Sequence, residues 1–242
     1  MDDTILILGA SSEIGLELIS KIEGPCTILA HYNSSDENLL KLKSTIAPKL
    51  ELIQSDLSSE TQITELLNSI ETKYGVPNKI IHLAAPKIEN IRFKDINWSD
   101  FQREIDISLK SLILILGRFL PKMAKRKHGK VVCMLSSVTL NIPPKALTQY
   151  TTVKYAILGL MKSLASEYAD KNIQINAISP SMINTKFLNN INEKMVELNA
   201  HSHPLKRNAC VEDVVPTIRM LIGQDSDYIN GTNIPITGGS VF

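Results

Sequence analysis

A phenol and an ammonium stand four residues apart at Tyr150 and Lys154, and a hydroxyl, Ser137, stands thirteen residues before the tyrosine. On a helix a spacing of four puts both side chains on one face. An ammonium beside a phenol favours the phenolate. Lys154 is therefore expected to lower the Tyr150 pKa from ~10 towards working pH, where general acid–base catalysis is most effective. Ser137 follows an apolar run, 130–135, that reads as a strand, and a hydroxyl at a strand end can polarise a substrate carbonyl. Tyr-x-x-x-Lys alone is more often a surface pair; the serine at a strand end makes it a candidate site. Tyr155 has no lysine four residues on and is the weaker candidate.

The elements that must position these groups follow from periodicity. Short apolar, β-branched runs at 5–8, 27–31, 50–54, 79–84, 130–135, 174–179 and 232–236 read as strands. Amphipathic stretches at 12–22, 36–46, 59–74, 99–126, 148–170 and 211–223 read as helices, with Ser59 and Asn97 as start signals. Strand–helix alternation along the chain implies an α/β fold: one doubly wound, Rossmann-type domain, its parallel sheet of about seven strands covered by helices on both faces. Ligands bind such sheets at the carboxyl ends of the strands. Residues Leu112 to Leu116 are apolar all round, which implies burial on every side or packing against a second subunit. The segment 184–207 shows no strand and reads as a substrate lid. Its histidines, His201 and His203, read as solvated rather than metal-binding.

The first strand runs into Gly9-Ala10-Ser11-Ser12-Glu13-Ile14-Gly15 and then a helix. Such a turn lets bare backbone meet a pyrophosphate at a helix N-terminus. Gly9, Ser11, Ser12, Ile14 and Gly15 are its candidate cofactor contacts. After the second strand come Tyr32, Asn33 and Ser34, where a fold selecting NAD usually carries an acidic residue. The neutral, hydroxyl-rich stretch favours NADP(H) over NAD(H), although no arginine accompanies it.

The balance of 26 basic and 25 acidic residues gives no reason to expect nucleic acid or an anionic membrane surface. No apolar run approaches the ~20 residues of a membrane span. Three scattered cysteines suit a reducing compartment, and the acidic start lacks a basic signal-peptide region, so a cytoplasmic protein is expected.

With these residues in place, the whole chain resembles the short-chain dehydrogenase/reductase family, and within it the 3-oxoacyl-thioester reductases. Gly9-x-x-x-Glu13-Ile14-Gly15 is similar to its cofactor turn, and Ser137, Tyr150 and Lys154 match its catalytic serine, tyrosine and lysine. The resemblance implies that Asp56 and Leu57 contact adenine, and that Leu83, Ala84 and Ala85, after His82, stand at the family's Asn-Asn-Ala-Gly. Pro180, Ile183 and Thr185 would lead to the nicotinamide, carboxamide and pyrophosphate. Lys154 would hold the cofactor ribose, and a homo-oligomer, tetramer or dimer, is expected. Two departures stand out. Glu13 replaces a glycine, and pointing inward it would repel pyrophosphate. Ser108 replaces an asparagine that kinks a helix and holds a water of the proton relay; serine can bond locally or hold a water.

These features imply an NAD(P)(H)-dependent oxidoreductase that passes hydride between a nicotinamide and a small-molecule carbonyl or secondary alcohol. The alternative is a non-catalytic dinucleotide-binding sensor or scaffold.

Overall fold

The computed structural model describes residues 3–46 and 48–241. Seven strands form one sheet: β1 (Asp3–Leu8), β2 (Cys26–Tyr32), β3 (Lys49–Gln54), β4 (Lys79–His82), β5 (Gly129–Met134), β6 (Ile173–Pro180) and β7 (Asn233–Ile236). Their order is β3-β2-β1-β4-β5-β6-β7, and every neighbouring pair is parallel. The helices are α1 (Glu13–Lys21), α2 (Glu37–Lys43), α3 (Glu60–Tyr74), α4 (Trp98–Glu104), α5 (Ser111–Arg126), α6 (Thr148–Glu167), α7 (Glu193–Ser202) and α8 (Val211–Ile222).

The alternating direction of strand side chains divides the core into two. Ile5 and Ile7 of β1 pack with Leu18, Leu39 and Ile218, from α1, α2 and α8. Leu6 and Leu8 pack on the other face with Ile63, Phe119 and Val153, from α3, α5 and α6. Both faces of the parallel sheet are thereby covered, which is why its strands read as continuous apolar runs. Ser59 caps α3 by accepting from the Gln62 N–H, and Asn97 caps α4 by accepting from the Ser99 N–H.

Three expectations are corrected. The stretch 99–126 is not one helix: a π-helical turn, Ile105–Lys110, separates α4 from α5. In the segment 184–207, which holds a short 3-10 turn, Lys186–Leu188, and the whole of α7, His203 is not solvated: it is buried and its Nε2 bonds the Thr237 carbonyl at 2.8 Å. The apolar stretch of α5 is not buried on every side. Leu112, Ile115 and Leu116 are in the core, but Ile113 is 46% exposed. Among the described residues no helix is long and apolar enough to cross a membrane.

Candidate active site

The strand order reverses between β1 and β4, and the candidate residues gather at the carboxyl ends of β1, β4, β5 and β6 around that reversal. Tyr150 and Lys154 lie in the first two turns of α6, both buried, with Lys154 Nζ 5.4 Å from the centre of the Tyr150 ring. The ammonium donates to the Met134 carbonyl at 2.8 Å, at the end of β5. Burial lowers the Lys154 pKa, while the negative charge of Glu104 raises it.

One expectation at this site changes. The Tyr150 phenol is not depressed: burial, reinforced by the negative charge of Glu104, pushes it up to about 12, and only a hydrogen bond with a serine pulls it down. That serine is Ser136, which immediately precedes the expected Ser137. The pair follows β5, where Ser136 starts the 3-10 turn Ser137–Thr139 and its hydroxyl also accepts from the Val138 N–H. The adjacent Ser137 is half-buried at the same rim.

Behind these groups is a buried polar cluster. His82, the last residue of β4, is 1% exposed, and its Nε2 has no hydrogen-bond partner. Burial and the neighbouring Lys154 push its pKa down to about 3, so the ring is neutral at working pH. Glu104 ends α4 at 3% exposure, and Ser108, 0% exposed in the π-helical turn, donates to its Oε1 at 3.1 Å. Ser108 thus bonds locally. Sequence reasoning missed Ser136 and Glu104 as site residues. The available signals were the second hydroxyl beside Ser137 and the four-residue spacing of Glu104 and Ser108 on one helix face.

The turn after β1 has the bare backbone a dinucleotide needs. Gly9 has φ +78°, and a Cβ there would lie 2.9 Å from the Ala84 nitrogen; one on Gly15 would lie 2.4 Å from the Ala10 oxygen. Ser12 caps α1, taking the Gly15 N–H at 3.1 Å and donating to the Gly9 carbonyl at 2.7 Å. Ser11 is exposed and Ile14 half-buried beside them. Glu13 does not point at the turn: its Oε2 accepts the Lys186 N–H at 2.7 Å, across to the segment after β6. His31 fixes the turn from β2. Its Nδ1 accepts the Gly9 N–H at 3.1 Å, which leaves Nε2 to donate to the Ser55 carbonyl at 2.9 Å. These features fit a dinucleotide with its pyrophosphate at the start of α1.

Along the same edge, Asn33 and Ser34 are exposed, with Asn33 held by Gln54 through its carbonyl. Tyr32 is half-buried, and the Asp36 carboxylate near its phenol raises the phenol pKa after burial and stands close to the two residues favoured for a 2′-phosphate. Asp56 is tied by the Ser58 N–H and hydroxyl, both at 2.8 Å, and Leu57 is buried beneath it. Leu83 bonds β1 through its N–H, Ala84 faces Gly9, and Ala85 is half-buried beyond them. Pro180 ends β6, Ile183 bridges to Ala209, and Thr185 precedes the Lys186–Leu188 turn. Phe187 brings that turn to the site, its ring 6.4 Å from that of Tyr150, and packs with Leu188 and Ile191 against Ile88, Val138 and Leu147.

A family model described as "Enoyl-(Acyl carrier protein) reductase" matches residues 21–240. The chain belongs to the short-chain dehydrogenase/reductase family. It is accordingly an NAD(P)-dependent oxidoreductase. Among relatives of this short-chain dehydrogenase/reductase, the 3-oxoacyl-[acyl-carrier-protein] reductase FabG of Thermotoga maritima is 28% identical, the match covering 98% of this chain and 96% of the relative. Nodulation protein G of a Rhizobium species is 23% identical over 97% and 95%. The structure described as ElxO with NADP bound is 26% identical, with a TM-score of 0.86 over 99% of this chain and 98% of that one. A 3-oxoacyl-[acyl-carrier protein] reductase from Brucella melitensis, 20% identical over 98% and 90%, has the same fold at a TM-score of 0.88.

Proposed function

We propose that this protein is a single catalytic domain that uses NADP(H) to reduce a carbonyl, with a 3-oxoacyl thioester as the first substrate class to test. The observation that carries the reading is the convergence of the Tyr150 phenol, the Ser136 hydroxyl and the Lys154 ammonium at one rim of the sheet, beside the bare Gly9 turn. The relative from Thermotoga maritima supports the substrate class, and the NADP-bound ElxO structure supports the phosphorylated cofactor. Asp36 near Asn33 and Ser34 is the feature that weighs towards NAD(H).

A nicotinamide held at this rim would supply the hydride. The chain's own groups deal with the charge that develops on the carbonyl oxygen. Ser136 and Ser137 are the hydroxyls that stabilise it, as donors held at a fixed strand end. Tyr150 gives its proton to the forming alkoxide. Burial keeps that phenol protonated at working pH, the state a proton donor needs. Lys154 presents its charge from beneath, anchored on the Met134 carbonyl. Gly9, Ser11, Ser12, Ile14 and Gly15 take the pyrophosphate. Asp56, Leu57, Leu83, Ala84 and Ala85 take the adenine side, and Pro180, Ile183 and Thr185 the nicotinamide side. The segment 184–207 acts as the lid, with Phe187, Leu188 and Ile191 as an apolar wall that excludes water.

NADPH oxidation with a panel of ketones and 3-oxoacyl thioesters tests the reading. Tyr150→Phe should lower kcat by about 10²–10⁴ and leave NADPH binding within about twofold, since a phenylalanine ring keeps the packing. A variant that retains turnover would remove Tyr150 as the donor. Exposed Ile113 and Trp98 support assembly through the α4–α5 face, and a sedimentation mass of one chain would refute it.

A further inference from the structure

Glu104 is the unexplained charge of the site. A carboxyl at 3% exposure loses nearly all its hydration, which costs several kcal/mol for an ion unless a partner compensates. It has one hydrogen bond, from Ser108. The cationic group it faces is Lys154, across the contact of α4 with α6. Lys154 is itself 4% exposed and is held by a neutral carbonyl, so it needs a countercharge as much as Glu104 does.

We propose that Glu104 is a positioning residue for the reaction: its buried carboxyl, held by Ser108, is the countercharge of the buried Lys154 ammonium beside Tyr150. This deepens the carbonyl-reductase reading and rests on it for the role of Tyr150.

The groups around the carboxyl give the signs. From α6, Lys154 stabilises the Glu104 carboxylate, and Glu104 in turn stabilises the ammonium. Also from α6, the Tyr150 phenol faces the same negative charge, which disfavours the phenolate. From the π-helical turn, Ser108 donates to the carboxylate and favours its charged form, against desolvation. From β5 the Cys133 thiol is a neighbour of Lys154, and from β4 the neutral His82 ring feels the Lys154 charge. Ser108 thus serves the site as the clamp of a carboxylate.

The test reads Lys154 directly, with neither substrate nor cofactor. Lys154 is followed by NMR of its labelled side-chain amine as pH is varied, and Lys154→Met assigns the signal. In Glu104→Gln, which keeps the shape and removes the charge, the lysine should titrate about one pH unit lower, a tenfold loss of proton affinity. Ser108→Ala should shift it in the same direction by less, and it decides the matter if Glu104→Gln does not fold. In the active enzyme the alkaline limb of the kcat profile should move with the lysine while KM for NADPH holds. An unmoved lysine in a folded variant overturns the proposal. A moved lysine in a protein that reduces no carbonyl overturns the functional reading and leaves the charge coupling standing.

Discussion

Two adjacent hydroxyls, Ser136 and Ser137, stand at the end of β5, and the backbone gives them different tasks. Ser136 begins a 3-10 turn with extended φ and ψ, so its side chain folds over the turn and meets the Tyr150 phenol. Its hydrogen bond favours the phenolate, opposing burial. Ser136→Ala should therefore raise the phenol pKa further and lower kcat by about 10²–10³, the range for losing one oxyanion donor. Ser137→Ala should cost less. Steady-state rates of the two variants, measured at one NADPH concentration, decide it. The reverse ranking would return the role to Ser137. At this scale the sequence displayed the right chemistry, and the turn sets a second hydroxyl beside Ser137. Thirteen or fourteen residues of separation look alike until the turn's dihedral angles are known.

At the scale of elements, the cofactor turn is joined to the segment that closes on it. Glu13 in the first turn of α1 accepts the Lys186 N–H, and Lys186 begins the turn that carries Phe187 to Tyr150. Read as a sequence, a carboxylate in a pyrophosphate turn is a liability. In three dimensions it is spent on a backbone amide 173 residues away. Glu13→Ala should free that amide. A hydrogen bond of this kind contributes about 1 kcal/mol, so exchange at the Lys186 N–H should quicken roughly fivefold. Hydrogen exchange resolved at that residue checks it, and unchanged protection would mean that the segment is held by its apolar contacts alone. The π-helical turn belongs to this scale too. The 99–126 stretch has no proline or glycine at the break, so periodicity carried the helix straight through it.

At the scale of the whole molecule, two histidines buried along the sheet tie stability to pH. Burial lowers both pKa values, that of His82 to about 3. A group depressed in the folded state contributes stability that is complete above its unfolded value, about 6.5, and is lost as pH falls towards the folded value. The carboxylate of Asp213, held below the usual range by Arg207 and the Cys210 N–H, adds a loss only under about pH 3.9. Tm should thus begin to fall below about pH 6.5, before any of the lowered carboxylates is protonated. For His31 the reason is visible in its bonds. A proton on Nδ1 would face the Gly9 N–H and break the cofactor turn. Melting curves between neutral pH and about pH 4.5 check this, and a flat Tm over that window would mean that neither ring is as buried as the structure has it.

The sequence by itself determined the seven strands, most of the helices, the two-sided covering of the sheet and the position of the turn after β1. It also named Tyr150 and Lys154 as partners. All of these depend on contacts within a few residues, or on a period of two or four, and such information is local. The tertiary structure alone decided where Glu13 points, that Glu104 and Lys154 are both buried, and that the phenol is raised rather than lowered. Each of those depends on groups brought together from distant elements and on the loss of water around them. Desolvation has no signature in a spacing, because it is set by how every neighbouring element packs.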